Sequence, residues 1–152
     1  MRVLPVINLP APVIQALENG SPLVLSVSGG KDSEAMTRAV LAARAAAGWS
    51  GSVTLIHADL GRMEWEATPA YMQRMAARYG YDLVTVDRDH DLLEGIQRRA
   101  DKLAGQNKPA FPSSAARYCT AGWKRNVINS WIRHQFPRSE ERRVGKECLR
   151  LC

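Results

Sequence analysis

Residues 23–27 form a short apolar run that ends abruptly in Ser28-Gly29-Gly30-Lys31-Asp32-Ser33, and a helix-favouring stretch over 32–47 begins at once. No other feature restricts the fold so much. An apolar run with a turn on each side suits a strand buried on both faces, as strands lie in a parallel sheet. The glycine pair permits a sharp turn. The segment after it is rich in Ala, Met, Leu and Arg, favours a helix and stops at Gly48.

The same alternation repeats downstream. Residues 53–58 predict a second strand and 83–86 a third. Between them, 64–79 predicts a helix with Pro69 near its first turn and Gly80 at its end. Residues 91–104 predict a helix with Leu92, Leu93, Ile96 and Leu103 near one face. A short helix over 13–17 precedes the series. A fourth main helix over 120–136 follows it, with Trp123, Val127, Ile128, Trp131 and Ile132 as its apolar set. A β-α-β-α-β-α order predicts an α/β fold: a doubly wound, Rossmann-like parallel sheet with helices on both faces. The 152 residues, 45% of them hydrophobic, suit one domain, expected over 1–137.

The formal net charge of +6 fits an anionic ligand, a nucleotide or a nucleic acid, without choosing between them. No apolar run approaches the ~20 residues of a membrane span, and the first residues carry no leader pattern. Three cysteines without metal-ligand spacing point to a reducing, cytoplasmic location. A four-cysteine iron–sulfur cluster cannot be built from one copy. From Pro137 the composition changes. Residues 138–152 are read as a solvated tail, and they also resemble translated adapter sequence, so both a native and a non-native origin stay open.

The loop at 28–33 has what a phosphate site needs. Gly29 and Gly30 let the backbone approach an anion, and the helix start offers N–H groups and the positive end of its dipole. Lys31 adds charge, and Ser28 and Ser33 add hydroxyls. Asp32 fits either a helix N-cap or a ligand for Mg²⁺ bridging phosphates. The bland alternative is a tight turn with an ordinary cap. A P-loop of the Walker type would need Gly at Leu25 and Ser or Thr at Asp32, and a dinucleotide fingerprint would need Gly at Lys31.

The hexapeptide resembles the pyrophosphate loop (PP-loop) of the adenine-nucleotide α-hydrolase superfamily, and within it the phosphoadenosine phosphosulfate (PAPS) reductase family. His57-Ala58-Asp59-Leu60-Gly61 resembles that family's Asp-Thr-Gly turn, and Glu66-Ala67-Thr68 its Glu-Thr element. Arg117-Tyr118-Cys119-Thr120 with Lys124 resembles its late Arg-x-Cys segment and lysine. The resemblance covers residues 22–136. It implies ATP or PAPS as the bound nucleotide, with Mg²⁺. Ser28, Gly29, Gly30, Lys31, Asp32, Ser33, Asp59 and Gly61 would hold it, Asp32 would meet the metal, and Lys31, Asp32, Arg117 and Lys124 would serve the reaction.

Departures bear on the chemistry. Family reductases end in Glu-Cys-Gly-[Ile/Leu]-His, whereas this chain has Glu147-Cys148-Leu149-Arg150, which is treated as a chance match. Relatives also continue with another strand and an arginine-bearing segment, which implies a domain cut short. The balance favours an ATP pyrophosphatase or adenylyl-transfer reaction, with PAPS reduction as the alternative. A non-catalytic, RNA-associated nucleotide-binding module is the alternative from another class. The acceptor or reductant and the oligomeric state stay open.

Other residues have two readings. Asp59 is a ligand residue or a turn former, and His57 is read as a packed strand residue. Asp87-Arg88-Asp89-His90-Asp91 is read as a solvated turn and helix cap rather than a metal site. Arg98, Arg99, Lys102 and Lys108 suit a phosphate, a sulfate, an RNA backbone or a solvated face. Cys119 is read as inert rather than nucleophilic. Packing is the default for the four tryptophans, with base stacking as the second reading for Trp65.

Overall fold

A computed structural model describes residues 7–136. The tail at 138–152 and the segment Glu147-Cys148-Leu149-Arg150 lie outside the described residues. Helix α1 (Ala11–Glu18) leads into β1 (Leu23–Ser26), α2 (Lys31–Ala47), β2 (Val53–Ala58), α3 (Thr68–Tyr79), β3 (Asp82–Val86), α4 (Leu92–Leu103) and α5 (Asn126–Gln135). The strands form a three-stranded parallel sheet of order β1-β2-β3, flanked by helices. The register of β1 on β2 pairs Leu23 with Val53 and Ser26 with Ile56. Val27 N–H still donates to Ile56 O at 2.9 Å, so the ladder outlasts the formal end of β1 by one residue.

The chain divides into two compact units. The first holds the described residues up to Ile56 together with Pro69–Val84, and the second holds His57–Thr68 and the described residues from Thr85 onward. In the first unit, Leu23, Leu25 and Val27 of the β1 segment pack with Leu55, with Val13 and Leu17 of α1, and with Val40 of α2. Met72, Met75 and Ala76 of α3 complete this core, at the spacing of one helix face. Trp49 is buried in it. In the second unit Leu60, Leu92, Ile96 and Trp123 form the core, with Tyr118 and Cys119 against it.

Two helices differ most from the sequence expectation. The helix expected over 64–79 starts at Thr68, because a 3₁₀ turn at Gly61–Met63 comes first and Pro69 is confined to the first helical turn. The helix expected over 120–136 is two elements: a π-helical segment, Cys119–Arg125, and then α5. An α-helical repeat from Trp123 would next present Val127, but Ile128 is the buried residue of α5. The wider turn accommodates one extra residue between the two buried positions.

Candidate functional site

The phosphate-type loop leaves the carboxyl end of β1 and enters α2. Gly29 has φ 72°, a left-handed conformation that excludes most side chains, and here the sequence needs glycine. Gly30 is different. Its φ of −83° and ψ of 155° suit any residue, and a Cβ there would lie 3.8 Å from Ser28 Oγ.

Gly30, not Asp32, is the N-cap of α2, which corrects one of the two readings of Asp32. Lys31 already has helical geometry, so Asp32 falls in the first turn, where a carboxylate complements the helix dipole. No side chain caps this helix. Its first N–H groups, which no helix can pair internally, therefore have no capping side chain as acceptor.

Ser33 closes the loop on itself. Its Oγ donates to Gly30 O at 2.9 Å and accepts from Ser28 N–H at 3.2 Å, with Ser28 Oγ at 3.4 Å. The Ser33 hydroxyl thus shapes the loop rather than offering a spare donor. Lys31 and Asp32 are exposed. Glu34, one turn into α2, accepts from Tyr71 Oη and from Arg78 Nη1, the latter at 2.9 Å. Both donors sit on α3, so the loop-bearing end of α2 is tied to its neighbour. The hydrogen bond to Glu34 raises the Tyr71 phenol above its ordinary pKa, with burial adding to the shift.

In the second unit, Asp59 Oδ1 accepts from Gly61 N–H at 2.7 Å, an Asx turn, and Asp59 N–H donates to Val86 O at 2.8 Å. Asp59 therefore has the turn-forming geometry, which leaves its Oδ2 without a hydrogen bond among the described residues. Gly61 has φ 64°, and a Cβ there would collide with Asp91 Cβ. His57 is only 4% exposed, and its Nε2 lies 2.9 Å from Glu64 Oε2.

Arg62 forks onto Asp91, through Nε to Oδ2 and through Nη2 to Oδ1 at 3.1 Å. Asp91 Oδ1 also accepts from Glu94 N–H at 2.8 Å, which makes Asp91 the cap of α4. The Arg62 hydrogen bond, helped by the Glu94 N–H, lowers the Asp91 pKa to about 2.

Arg117 is exposed just before the π-helical segment, where its carbonyl accepts from Thr120 and Ala121 N–H, and Lys124 is half-buried within that segment. Cys119 is a free, half-buried thiol packed beside Trp123. Trp65, in contrast to the packed expectation, is 87% exposed. It lies in the connection between the 3₁₀ turn and α3, where no other element among the described residues covers it.

Sequence reasoning missed three features: the Ser33 closure, the Glu34–Tyr71–Arg78 tie and the Arg62–Asp91 fork. Asp91 had a local signal, since Asp-x-x-Glu at 91–94 is a capping pattern. The partners of Glu34 and of Arg62 lie too far apart in the chain for spacing to reveal them, whereas the Ser33 closure is local and depends on the turn geometry at Gly29 and Gly30.

No family model matches this chain, and neither does any curated protein or solved structure.

Proposed function

We propose that the loop at 28–33 binds the phosphates of an adenine nucleotide, ATP or a sulfonucleotide, in a PP-loop enzyme of the PAPS reductase family. The proposal includes the doubly wound form of the fold. Its main support is the uncapped start of α2, preceded by a left-handed glycine and held in shape by Ser33. Such a helix start presents oriented N–H donors and a positive dipole end to an anion. Lys31 brings a mobile positive charge to the same place.

The reaction favoured is adenylyl transfer. An acceptor nucleophile bonds to the α-phosphorus while the bridging P–O bond breaks, and its electron pair leaves with pyrophosphate. The donors and Lys31 stabilise the charge that develops on that leaving group. Mg²⁺ would neutralise phosphate charge when bound. Asp32 fits such a role: its carboxylate is exposed beside the loop and makes no hydrogen bond among the described residues. No group of three or more His, Cys, Asp or Glu among the described residues could hold a metal ion. One carboxylate completed by phosphate oxygens and water is an ordinary arrangement for Mg²⁺. The roles that the resemblance gives to Asp59, Gly61, Arg117 and Lys124 belong to the same proposal.

Calorimetric titration of ATP and PAPS into the full chain tests it. Binding that Lys31→Ala weakens supports the loop assignment, and the tighter of the two nucleotides separates adenylyl transfer from sulfonucleotide reduction. Failure of both to bind would overturn it.

One observation favours a second reading, an RNA partner. Residues 102–136 contain six Lys or Arg and no Asp or Glu, and Phe111 within them is 59% exposed. Cations with exposed aromatic rings suit single-stranded nucleic acid. A steep salt dependence of RNA binding supports this reading, and its absence removes it.

A further inference from the structure

A cavity of about 390 Å³ opens where the carboxyl end of β3 meets α5. Thr85, Val86 and Asp87 line it from the strand side. The helix contributes Val127, Ser130, Trp131 and His134, which recur at the spacing of one helical face. That face is separate from Ile128, the buried residue of α5. The volume falls in the range of small-molecule sites, and carboxyl strand ends are where open α/β sheets collect ligands.

The charged group in the cavity lining is a carboxylate, Asp87. Asp87 has no hydrogen bond or ion pair among the described residues, and an ionised carboxylate can only accept. His134 Nδ1 lies 2.7 Å from Ser130 O, and a carbonyl cannot donate, so Nδ1 carries the proton. In the neutral ring Nε2 is then an acceptor. No Lys or Arg lines the cavity, although residues 102–136 contain no carboxylate at all. A cationic ligand would therefore meet Asp87 without a competing Lys or Arg in the lining. Trp131 supplies an aromatic surface, held edge-on by Phe136 at 6.1 Å between centroids. An indole attracts a cation through its π face and an alkyl chain through its apolar area. Val86 and Val127 extend that apolar wall.

We propose that this cavity binds a small organic cation, an alkylammonium or alkylguanidinium, with its charge on Asp87 and its alkyl chain along Trp131. The inference is independent of the phosphate loop. No other acidic side chain among the described residues lines the cavity, so binding of a cation there depends on Asp87.

The test titrates the full chain with agmatine, an alkylguanidinium that also bears an amine, and follows the indole N–H resonance of Trp131. n-Butanol serves as the neutral control and butyrate as the anionic one. Saturable binding of agmatine is expected, with neither control binding at the same concentrations. Asp87→Asn should weaken it by about tenfold or more, the scale of one charge-assisted contact. Asp82→Asn, at the opposite end of β3, should leave it unchanged. Trp131→Leu should weaken it with the fold intact by circular dichroism. Equal binding in Asp87→Asn and wild type, equal loss in Asp82→Asn, preference for butyrate, or no saturable binding by the wild-type chain would each overturn the proposal.

Discussion

The indole of Trp123 occupies the space that a Cβ on Gly95 would fill. The ring is fixed from several sides. Its Nε1 donates to His90 O at 3.4 Å, the Arg88 guanidinium lies 4.7 Å from its centroid, and the rings of His90 and Tyr118 stand edge-on to it. Helix propensity alone would favour Ala at position 95 by about 1 kcal/mol. The overlap outweighs that gain, because an indole held this way has nowhere to move. Gly95→Ala should therefore destabilise the chain by about 1–3 kcal/mol, the scale of an overpacked core. Trp123→Leu in the same chain should recover part of the loss. Denaturant titrations of the two single variants and the double variant check this, and simple additivity would refute the steric account.

Asp91 couples two local structures, the Arg62 turn and the start of α4. Its pKa is lowered from 3.8 to about 2, first by the Arg62 hydrogen bond and then by the Glu94 N–H. A depressed folded pKa means that the ionised carboxylate favours the folded state. That contribution is complete above the unfolded value of about 3.9 and disappears as pH falls through about 2. Asp91→Asn keeps an acceptor for the cap and loses the charge, whereas Asp91→Ala loses both. Both variants should melt below wild type at pH 7, Ala lower than Asn. At pH 2 the gap between Asn and wild type should narrow. Melting curves at the two pH values decide it, and a gap that widens in acid would contradict the sign argued here.

The strands were legible because each is an apolar run of four to six residues between turns, and β2 falls at the expected 53–58. Gly48 and Gly80 marked their helix ends correctly, both with φ 70°. The start of α2 falls one residue before the expected 32, and its N-cap is Gly30 rather than Asp32, one of the two readings of that aspartate. Asp attracts an N-cap reading, yet Gly30 had already supplied the extended residue that begins the helix. The π-helical segment left no trace in the sequence; within it, Trp123 docks on Gly95, far upstream. The tie of Glu34 to Tyr71 and Arg78 spans 37 and 44 residues, which local pattern cannot reach.

That tie gives a prediction for the loop-bearing end of α2. Tyr71→Phe removes one donor from Glu34 and leaves Arg78 in place. A neutral phenol on a carboxylate is a charge-assisted bond, so a measurable loss of stability is expected. Arg78→Ala should cost less, about 0–1 kcal/mol, because its side chain is largely exposed and the pair is screened. The order of the two effects, read from chemical unfolding, is the test. A larger loss in Arg78→Ala would show that the ion pair, not the phenol, holds α2 to α3.

The phosphate loop separates shape from ligand contact residue by residue. Gly29→Ala forces a side chain into φ 72° and should lower stability by about 1–2 kcal/mol. Gly30→Val meets ordinary backbone angles and no close neighbour, so the loss of stability should be confined to that of a poorer N-cap, about 1 kcal/mol or less. If phosphate rests against the start of α2, the valine side chain fills that space and nucleotide affinity collapses while the fold persists. Lys31→Ala should weaken nucleotide binding by about 1.5–3 kcal/mol, with little effect on melting, since an exposed lysine contributes little to the core. Ser33→Ala removes the hydroxyl that joins Ser28 to Gly30, so it should weaken binding through loop disorder rather than lost charge. Raising the salt concentration should then shrink the Lys31→Ala deficit more than the Ser33→Ala deficit, because salt screens a charge and not a backbone shape. Thermal unfolding of the four variants reads the stability effects, and calorimetric titration of ATP at low and high salt reads the affinities. Unchanged affinity in Gly30→Val and Lys31→Ala, in folded protein, would reduce the loop to a turn between a strand and a helix.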